Sequence, residues 1–244
     1  MALKYFVVFY ICFIFCAASH AQTLQSDTNQ IAAINNYRKF YFEEIRDNSG
    51  LYNGPEYFEY DPAIKGNAYY KDVNTWKPGT VCYDAIVYYN VPMMYDVFKD
   101  CLVCLHYNKF SRYNLLNEKL QYFNLNNEHF VAINVDSLTN PEIHNGIYNQ
   151  IYKGKTAVLV QTSKTIQFAT TGNLEKYFTA PKQKFYLLNN HVYYSITGKS
   201  SLLKALNNKK QQVQLYLKNN NIQFKSNMQQ TLIKVAYYYD HLEN

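Results

Sequence analysis

The stretch TVCYDAIVYYNVPMMYDVFKDCLVCLHY, residues 80–107, decides how the chain folds. Val81 to Tyr83, Ile86 to Tyr89, Val91 to Tyr95 and Cys101 to Leu105 are runs of β-branched and aromatic residues. Such side chains suit a pleated, half-buried surface, so each run predicts a strand. Pro92 has no N–H to give a ladder and belongs at an edge, a strand start or a bulge. Before this stretch, turn signals at Asn53-Gly54-Pro55, Asp61-Pro62, Lys65-Gly66-Asn67 and Lys77-Pro78-Gly79 punctuate short aromatic runs. After it, Phe130 to Ile133, Gly146 to Tyr152, Thr156 to Gln161 and Thr165 to Phe168 continue the pattern. Lys184 to Leu188 and His191 to Ile196 read as a hairpin, with Asn189-Asn190 able to take the positive φ of its turn. So many short strands with frequent turns predict a mainly β fold, an antiparallel sandwich or partly closed barrel.

The two ends of the chain have a different period. Ile31, Ile34, Tyr37, Tyr41, Phe42 and Ile45 recur at helical spacing over 27–47, with Asp27 and Gln30 as a capping box and Asn48-Ser49-Gly50 as the stop. Beyond Ser200, Leu202 to Leu206, then Val213, Tyr216 and Leu217, then Met228, Leu232, Val235, Ala236, Tyr239 and Leu242 form apolar stripes. Asn208, and Ser226 or Asn227, stand where caps are needed. The sandwich or barrel is therefore expected to carry an N-terminal helix over 22–50 and two or three C-terminal helices. The β domain spans 51–198, and the helical segment 199–244 packs on the sheet. No Pro/Gly/Ser-rich linker separates these parts, which favours one compact unit.

Residues 1–21 read as a secretory signal. Lys4 precedes the apolar run Tyr5 to Ala18, and Ser19-His20-Ala21 ends in a small-x-Ala cleavage pattern with Gln22 next. The apolar run is shorter than the roughly 20 residues a spanning helix needs. Bulky Phe15 before Cys16 suits a lipoprotein cleavage site badly. The expectation is an exported protein (periplasmic, outer-membrane-associated or secreted) with no transmembrane span after cleavage. An outer-membrane barrel is disfavoured, because the strands are short and irregular and the chain ends in a polar-faced helix.

The formal net charge of +6 is mild and spread along the chain, and Lys209-Lys210 is its densest cluster. This falls short of a nucleic-acid stripe and reads as solvated surface. The 26 tyrosines suit sheet faces, where the ring packs and the hydroxyl stays wet.

Past the signal the cysteines are Cys82, Cys101 and Cys104. Cys101 and Cys104 lie on a strand, where residues three apart point to opposite faces. A redox pair works instead at a helix N-terminus. Buried structural thiols are the favoured reading, and a bridge from Cys82 to one of the other two stays open.

Chemistry-bearing motifs are sparse. The sequence has no Gly-rich phosphate loop, His-Glu-x-x-His, Gly-x-Ser-x-Gly or calcium loop, and no two histidines stand at i, i+4. No metal or cofactor is expected. Asp84, Asp96 and Asp100 could hide a carboxyl pair of glycosidase type, although Asp after a strand more often forms a turn. Cys104 and His106 would share a strand face, where a thiolate–imidazole pair can form; a buried Cys beside a half-exposed His is the plainer reading. Tyr57, Phe58, Tyr60, Tyr69, Tyr70 and Trp76 form an aromatic stretch whose rings either pack in the core or stack on a ligand. Tyr69, Tyr70 and Trp76 are the candidate ligand-binding residues.

Leu51-Tyr52-Asn53-Gly54-Pro55-Glu56-Tyr57, then Gly79 to Asp84, then Tyr89 to Asp96, resemble a group of exported β-rich proteins of Gram-negative bacteria. Those share a Leu-Tyr-Asn-Gly-x-Glu-Tyr start, a Gly-x-Val-x-Tyr-Asp strand and an Asn-Val-x-x-x-Tyr-Asp strand. The part from Ser201-Leu202-Leu203 to Tyr239-Asp240 is similar to theirs too. One departure is Ala85, where the resemblance implies Gly after Tyr-Asp. It implies a bacterial envelope address and carries over no activity and no catalytic residue. Three functional readings follow: a non-enzymatic scaffold or protein-binding component of the envelope, which is favoured; a carbohydrate- or cell-wall-binding module using the aromatics; and a hydrolase with an Asp pair.

Overall fold

The structure, a computed structural model, describes residues 30, 32–34, 36–37, 50–136, 140–169, 175–224 and 227–242. The expected signal segment and most of the 27–47 helix lie outside these residues. The chain divides into two compact units, Met1–Arg46 and Asp47–Asn244. In the first, residues 30, 32–34, 36 and 37 are helical, with Ile34 and Tyr37 exposed.

The second unit is mainly β, as the sequence predicts. Its strands are β1 (Lys77–Tyr83), β2 (Ile86–Asp96), β3 (Cys101–Leu105), β4 (Arg112–Asn114), β5 (Leu120–Leu125) and β6 (Glu128–Ile133). They continue with β7 (Gly146–Lys153), β8 (Ala157–Ser163), β9 (Ile166–Ala169), β10 (Glu175–Phe178), β11 (Lys182–Asn189) and β12 (Val192–Ile196). Ten of them form one antiparallel sheet in the order β12-β11-β8-β7-β6-β5-β1-β2-β3-β4, and β9 with β10 makes a separate ribbon. Three helices follow: α1 (Lys199–Ala205), α2 (Lys210–Asn219) and α3 (Met228–Asp240).

Three two-residue turns link hairpins with both residues at positive φ: Asp84-Ala85, Asn126-Asn127 and Asn190-His191. This turn twists in the sense of the strands it joins. Ala85 holds φ 61° without the help of a missing Cβ, a conformation that disfavours L-residues by about 1–2 kcal/mol. The last turn sits one residue later than expected. Asn189 stays in β11 because its buried amide donates to the Ala205 carbonyl and the Tyr239 hydroxyl, which leaves His191 to take φ 64°. The two runs on either side of Asn90 form a single strand, β2. Pro92 is exposed, opposite Pro78 beside a register shift, and just beyond the last β2–β3 pair at Met93. It lies in an interior strand at a point where no third strand asks for its N–H.

The sheet curls without closing. The Tyr95 hydroxyl on β2 donates to Asp100 and lies 3.3 Å from the Ile147 carbonyl on β7, four places away in the strand order. Inside the curl Phe123 stacks on Phe130, and Tyr95 meets both rings edge-on. The helices cover the outer half of the sheet. Val158, Leu187 and Ile196 pack against Leu202, Leu206, Val213, Leu217, Leu232, Val235, Ala236 and Tyr239, all buried. Each Val, Leu and Ile among them contributes about 1.5–3 kcal/mol by leaving water. Of Ser226 and Asn227, the two cap positions the sequence offers, Asn227 caps α3 by accepting the Gln230 N–H.

Candidate functional site

At the end of β2 the chain must turn sharply into β3, and Asp96 directs that turn. Its side chain is fully buried. Oδ1 accepts the backbone N–H groups of Phe98 and Lys99, each at 2.9 Å, the Asx geometry that a short acidic side chain forms with its own backbone. Oδ2 accepts the hydroxyls of Tyr57 at 2.8 Å and Tyr60 at 2.6 Å. Burial and the neighbouring carboxylate push both tyrosines far above their ordinary pKa, so they remain neutral donors. The Lys99 ammonium lies 4.4 Å from the Tyr57 ring centroid and 4.6 Å from that of Tyr60, and donates to the Phe58 carbonyl.

Beneath this cluster the buried Lys164 ammonium donates to the carbonyls of Asn67 and Tyr69 and to Asp72. It pins the 67–72 loop, where Lys71 and Asp72 both take positive φ. Outside it, Tyr60, Phe98 and Phe178 meet edge to face, with centroids 5.0–5.7 Å apart and planes 80–83° apart. Phe178 comes from the β9–β10 ribbon. Its cross-strand partner is Ile166, which shares a ribbon face with Phe168 two residues on. Phe58, Phe98 and Phe168 are 68%, 39% and 60% exposed. The result is an aromatic rim on a rigid polar base.

The candidates named from sequence fall differently. Tyr69 and Tyr70 are buried, 8% and 7% exposed, and cannot offer ring faces to a ligand. Tyr69 has extended backbone, so the two rings leave on opposite sides. Tyr69 joins Tyr57, Met94, Cys101 and Val103, whereas Tyr70 packs on Phe130 and Tyr95 and donates to Glu128. Trp76 is half-buried against the Tyr69 cluster, with the Arg112 guanidinium 5.9 Å from its ring. The structure does not bring the three to one exposed face. Tyr60, from the wider aromatic stretch, does reach the rim, and Phe58 is exposed on the same segment, its carbonyl accepting from Lys99. Nothing local in the sequence marks Phe98 and Phe178 as neighbours of Tyr60; only the fold brings them together.

The three acids also separate. Asp84 is an exposed turn residue 3.8 Å from Lys119. Asp96 faces Tyr57 and Tyr60, while Asp100 accepts from the Tyr95 hydroxyl and the Ile147 N–H inside the curl. Tyr95 and Asp96 are adjacent on one strand, so these carboxyls serve opposite faces, although the Asp96 carboxyl still adds to the upward push on Asp100. Gly146 is required where Asp100 docks. It has φ 155°, and a Cβ there would overlap the Asp100 carboxylate.

Burial pushes Asp100 above the ordinary aspartate range, against the pull of its two hydrogen bonds. The folded chain therefore holds this proton more tightly than the unfolded one. The stability contributed is fully present below the unfolded pKa, falls as pH rises through the raised folded pKa, and then levels off. Asp100→Asn keeps an acceptor for Ile147 N–H and is expected to remove that slope. Urea unfolding of both proteins from about pH 4 to about pH 7 checks it: the advantage of the wild type over Asp100→Asn should shrink as pH rises.

Cys82, Cys101 and Cys104 are all free and buried. Cys101 packs with Tyr57 and Met94; burial raises it and Cys104 to about 12. Cys104 neighbours the Tyr113 hydroxyl, and the His106 ring stands against Tyr52 and Tyr107. Thiols so placed are inert. A maleimide is expected to leave all three unlabelled in the folded chain from Gln22 and to label all three in guanidinium. Among the described residues no group of three or more His, Cys, Asp or Glu is arranged to hold a metal ion.

Compared with protein-family models, curated proteins and solved structures, the chain matches none.

Proposed function

We propose that this is an exported cell-envelope protein that binds another protein, without catalysis of its own, through the aromatic rim of Phe58, Tyr60, Phe98, Phe168 and Phe178. The observation that carries the reading is the ring cluster of Tyr60, Phe98 and Phe178 backed by buried Asp96, with Phe98 partly exposed and Phe58 and Phe168 exposed on the two segments that supply Tyr60 and Phe178. Rigid aromatics lose little conformational freedom on binding and dominate the energetics of protein interfaces. Rings crossing at 80–83° present edges rather than a shared plane. That geometry suits an irregular protein surface better than the flat face of a sugar, so the glycan-binding reading stands second. The leader-like first 21 residues, and the resemblance to exported envelope proteins, support the address.

Placing a photo-crosslinking amino acid at Phe168 in cells that export the chain tests this. A discrete protein adduct is expected, lost on Phe98→Glu and absent when the probe stands at exposed Val192. Identical adducts at both positions, or a glycan adduct at Phe168, would overturn the reading. N-terminal sequencing of the exported chain should begin at Gln22.

A further inference from the structure

The basic residues are dispersed along the sequence, but the acids are not, so the excess positive charge concentrates in one segment. Residues 176–239 hold ten lysines and no Asp or Glu, whereas the rest of the chain has 14 basic and 18 acidic residues, a net charge of −4. This segment builds β11, β12 and α1–α3, and it gathers Lys199, Lys204 and Lys210 around one open cleft of about 620 Å³ between α1 and α2. Ser200, Asn207 and Gln214 complete its polar wall, and no acid lines it. Outside this segment five cations are matched: Lys65 with Glu175, Lys71 with Glu128, Arg112 with Glu59, Lys119 with Asp84, Lys164 with Asp72. Among the described residues no acid pairs with the three cleft lysines. Like charges held together without a counter-charge oppose folding, and an anionic partner relieves them.

We propose that this cleft and the lysines around it dock the chain on the phosphate headgroups of an anionic phospholipid surface. Three features select that occupant. The segment carries lysines and no arginine, hydrated point charges that answer charge density rather than the fixed geometry of one bidentate anion. The cleft is open, suited to a surface rather than to an enclosed small ion. Leu215, next to Gln214 on α2, is exposed; an aqueous anion has no use for it, and a lipid interface accepts it. No helix among the described residues is long and apolar enough to cross a membrane.

Co-sedimentation of the chain from Gln22 with vesicles tests the proposal, at about 0.1 M salt. Binding is expected to phosphatidylcholine vesicles containing roughly a third phosphatidylglycerol, and not to pure phosphatidylcholine. Each lysine near such a surface is worth about fivefold in binding, so Lys199→Gln/Lys204→Gln/Lys210→Gln should lose about a hundredfold. A control triple at the exposed Lys109, Lys153 and Lys155, each to Gln, should lose far less. Equal losses in both triples would reduce the effect to net charge and overturn the cleft. Calorimetric binding of inorganic phosphate without vesicle binding would make it a free-anion site, and tighter binding to duplex DNA than to vesicles would make it a polyanion site; either overturns the lipid assignment. All variants change exposed side chains, and an unchanged melting temperature confirms that each is folded. The cleft shares no residue with the aromatic rim, so either proposal can fail alone.

Discussion

Asp96→Ala is expected to lower folding stability by about 4 kcal/mol, because it strands donors on both sides of one carboxylate. Two are the N–H groups of Phe98 and Lys99, which the change leaves facing a methyl group. Two are the hydroxyls of Tyr57 and Tyr60, of which Tyr57 keeps only a 3.4 Å contact with the Tyr69 hydroxyl. Hydrogen bonds to a charged acceptor contribute about 1.5–3 kcal/mol each, and a stranded buried donor costs about 1–3. The simple sum overshoots, since half-buried Tyr60 can turn to water and the 97–100 turn can relax. Asp96→Asn retains one oxygen for the turn and should cost about half as much. Urea unfolding reads this as a lower midpoint with an unchanged slope. At this size each kcal/mol is worth about 2–4 °C, so the alanine variant should melt about 8–16 °C lower. A loss under about 1 kcal/mol would mean that the base of the aromatic rim is held by packing alone. Phe98→Ala, at the partly exposed rim, should cost only about 1 kcal/mol in stability.

Asp240→Ala is expected to cost about 3 kcal/mol and to loosen α3 first. Asp240 is the last residue of that helix and is buried. Both its oxygens take the Thr156 N–H, at 3.1 and 3.0 Å, and Oδ2 also accepts the Tyr152 hydroxyl at 2.9 Å. The carboxylate thus fastens the C-terminal helix to the turn between β7 and β8. Gly154 makes room for it: a Cβ there would overlap Asp240 Oδ2. Gly154→Ala should therefore destabilise comparably by pushing the carboxylate off the turn, although it removes no hydrogen-bonding group. Amide exchange checks the locality, with the α3 amides near Val235 and Ala236 losing protection well before those of β5 and β6. Uniform loss across the sheet would instead make Asp240 part of the global core.

The strands from β1 to β3 were legible because β-branched and aromatic runs broken by turn residues leave few alternatives. Three strands were not read. β4 and β10 are only 3 and 4 residues long, and in β5 (Leu120–Leu125) the exposed Gln121 and Asn124 stand three apart beside a register shift, which breaks the strand alternation. Ala85 shows the limit of local rules in a different way: a turn that prefers Gly forms around an Ala because the paired strands on either side impose it. The aromatic stretch 57–76 stood out in sequence, yet which rings face water was beyond it. Tyr69 and Tyr70 differ by one position and end on opposite sides of the structure.

By itself, the sequence determined the elements whose cause is local: short strands, Asn- and Asp-led turns, the helical period after Ser200 and the cap at Asn227. It also determined the charge imbalance of residues 176–239. Only the tertiary structure decided which distant groups meet. Phe98 and Phe178 become neighbours of Tyr60 through the meeting of the β2–β3 turn with a ribbon eighty residues away. Asp96 and Asp100 part company because adjacent strand residues project to opposite faces and the sheet curls around one of them. Strand periodicity is a property of neighbours in the chain; the curl of a ten-stranded sheet is a sum of many small twists that no short window of residues contains.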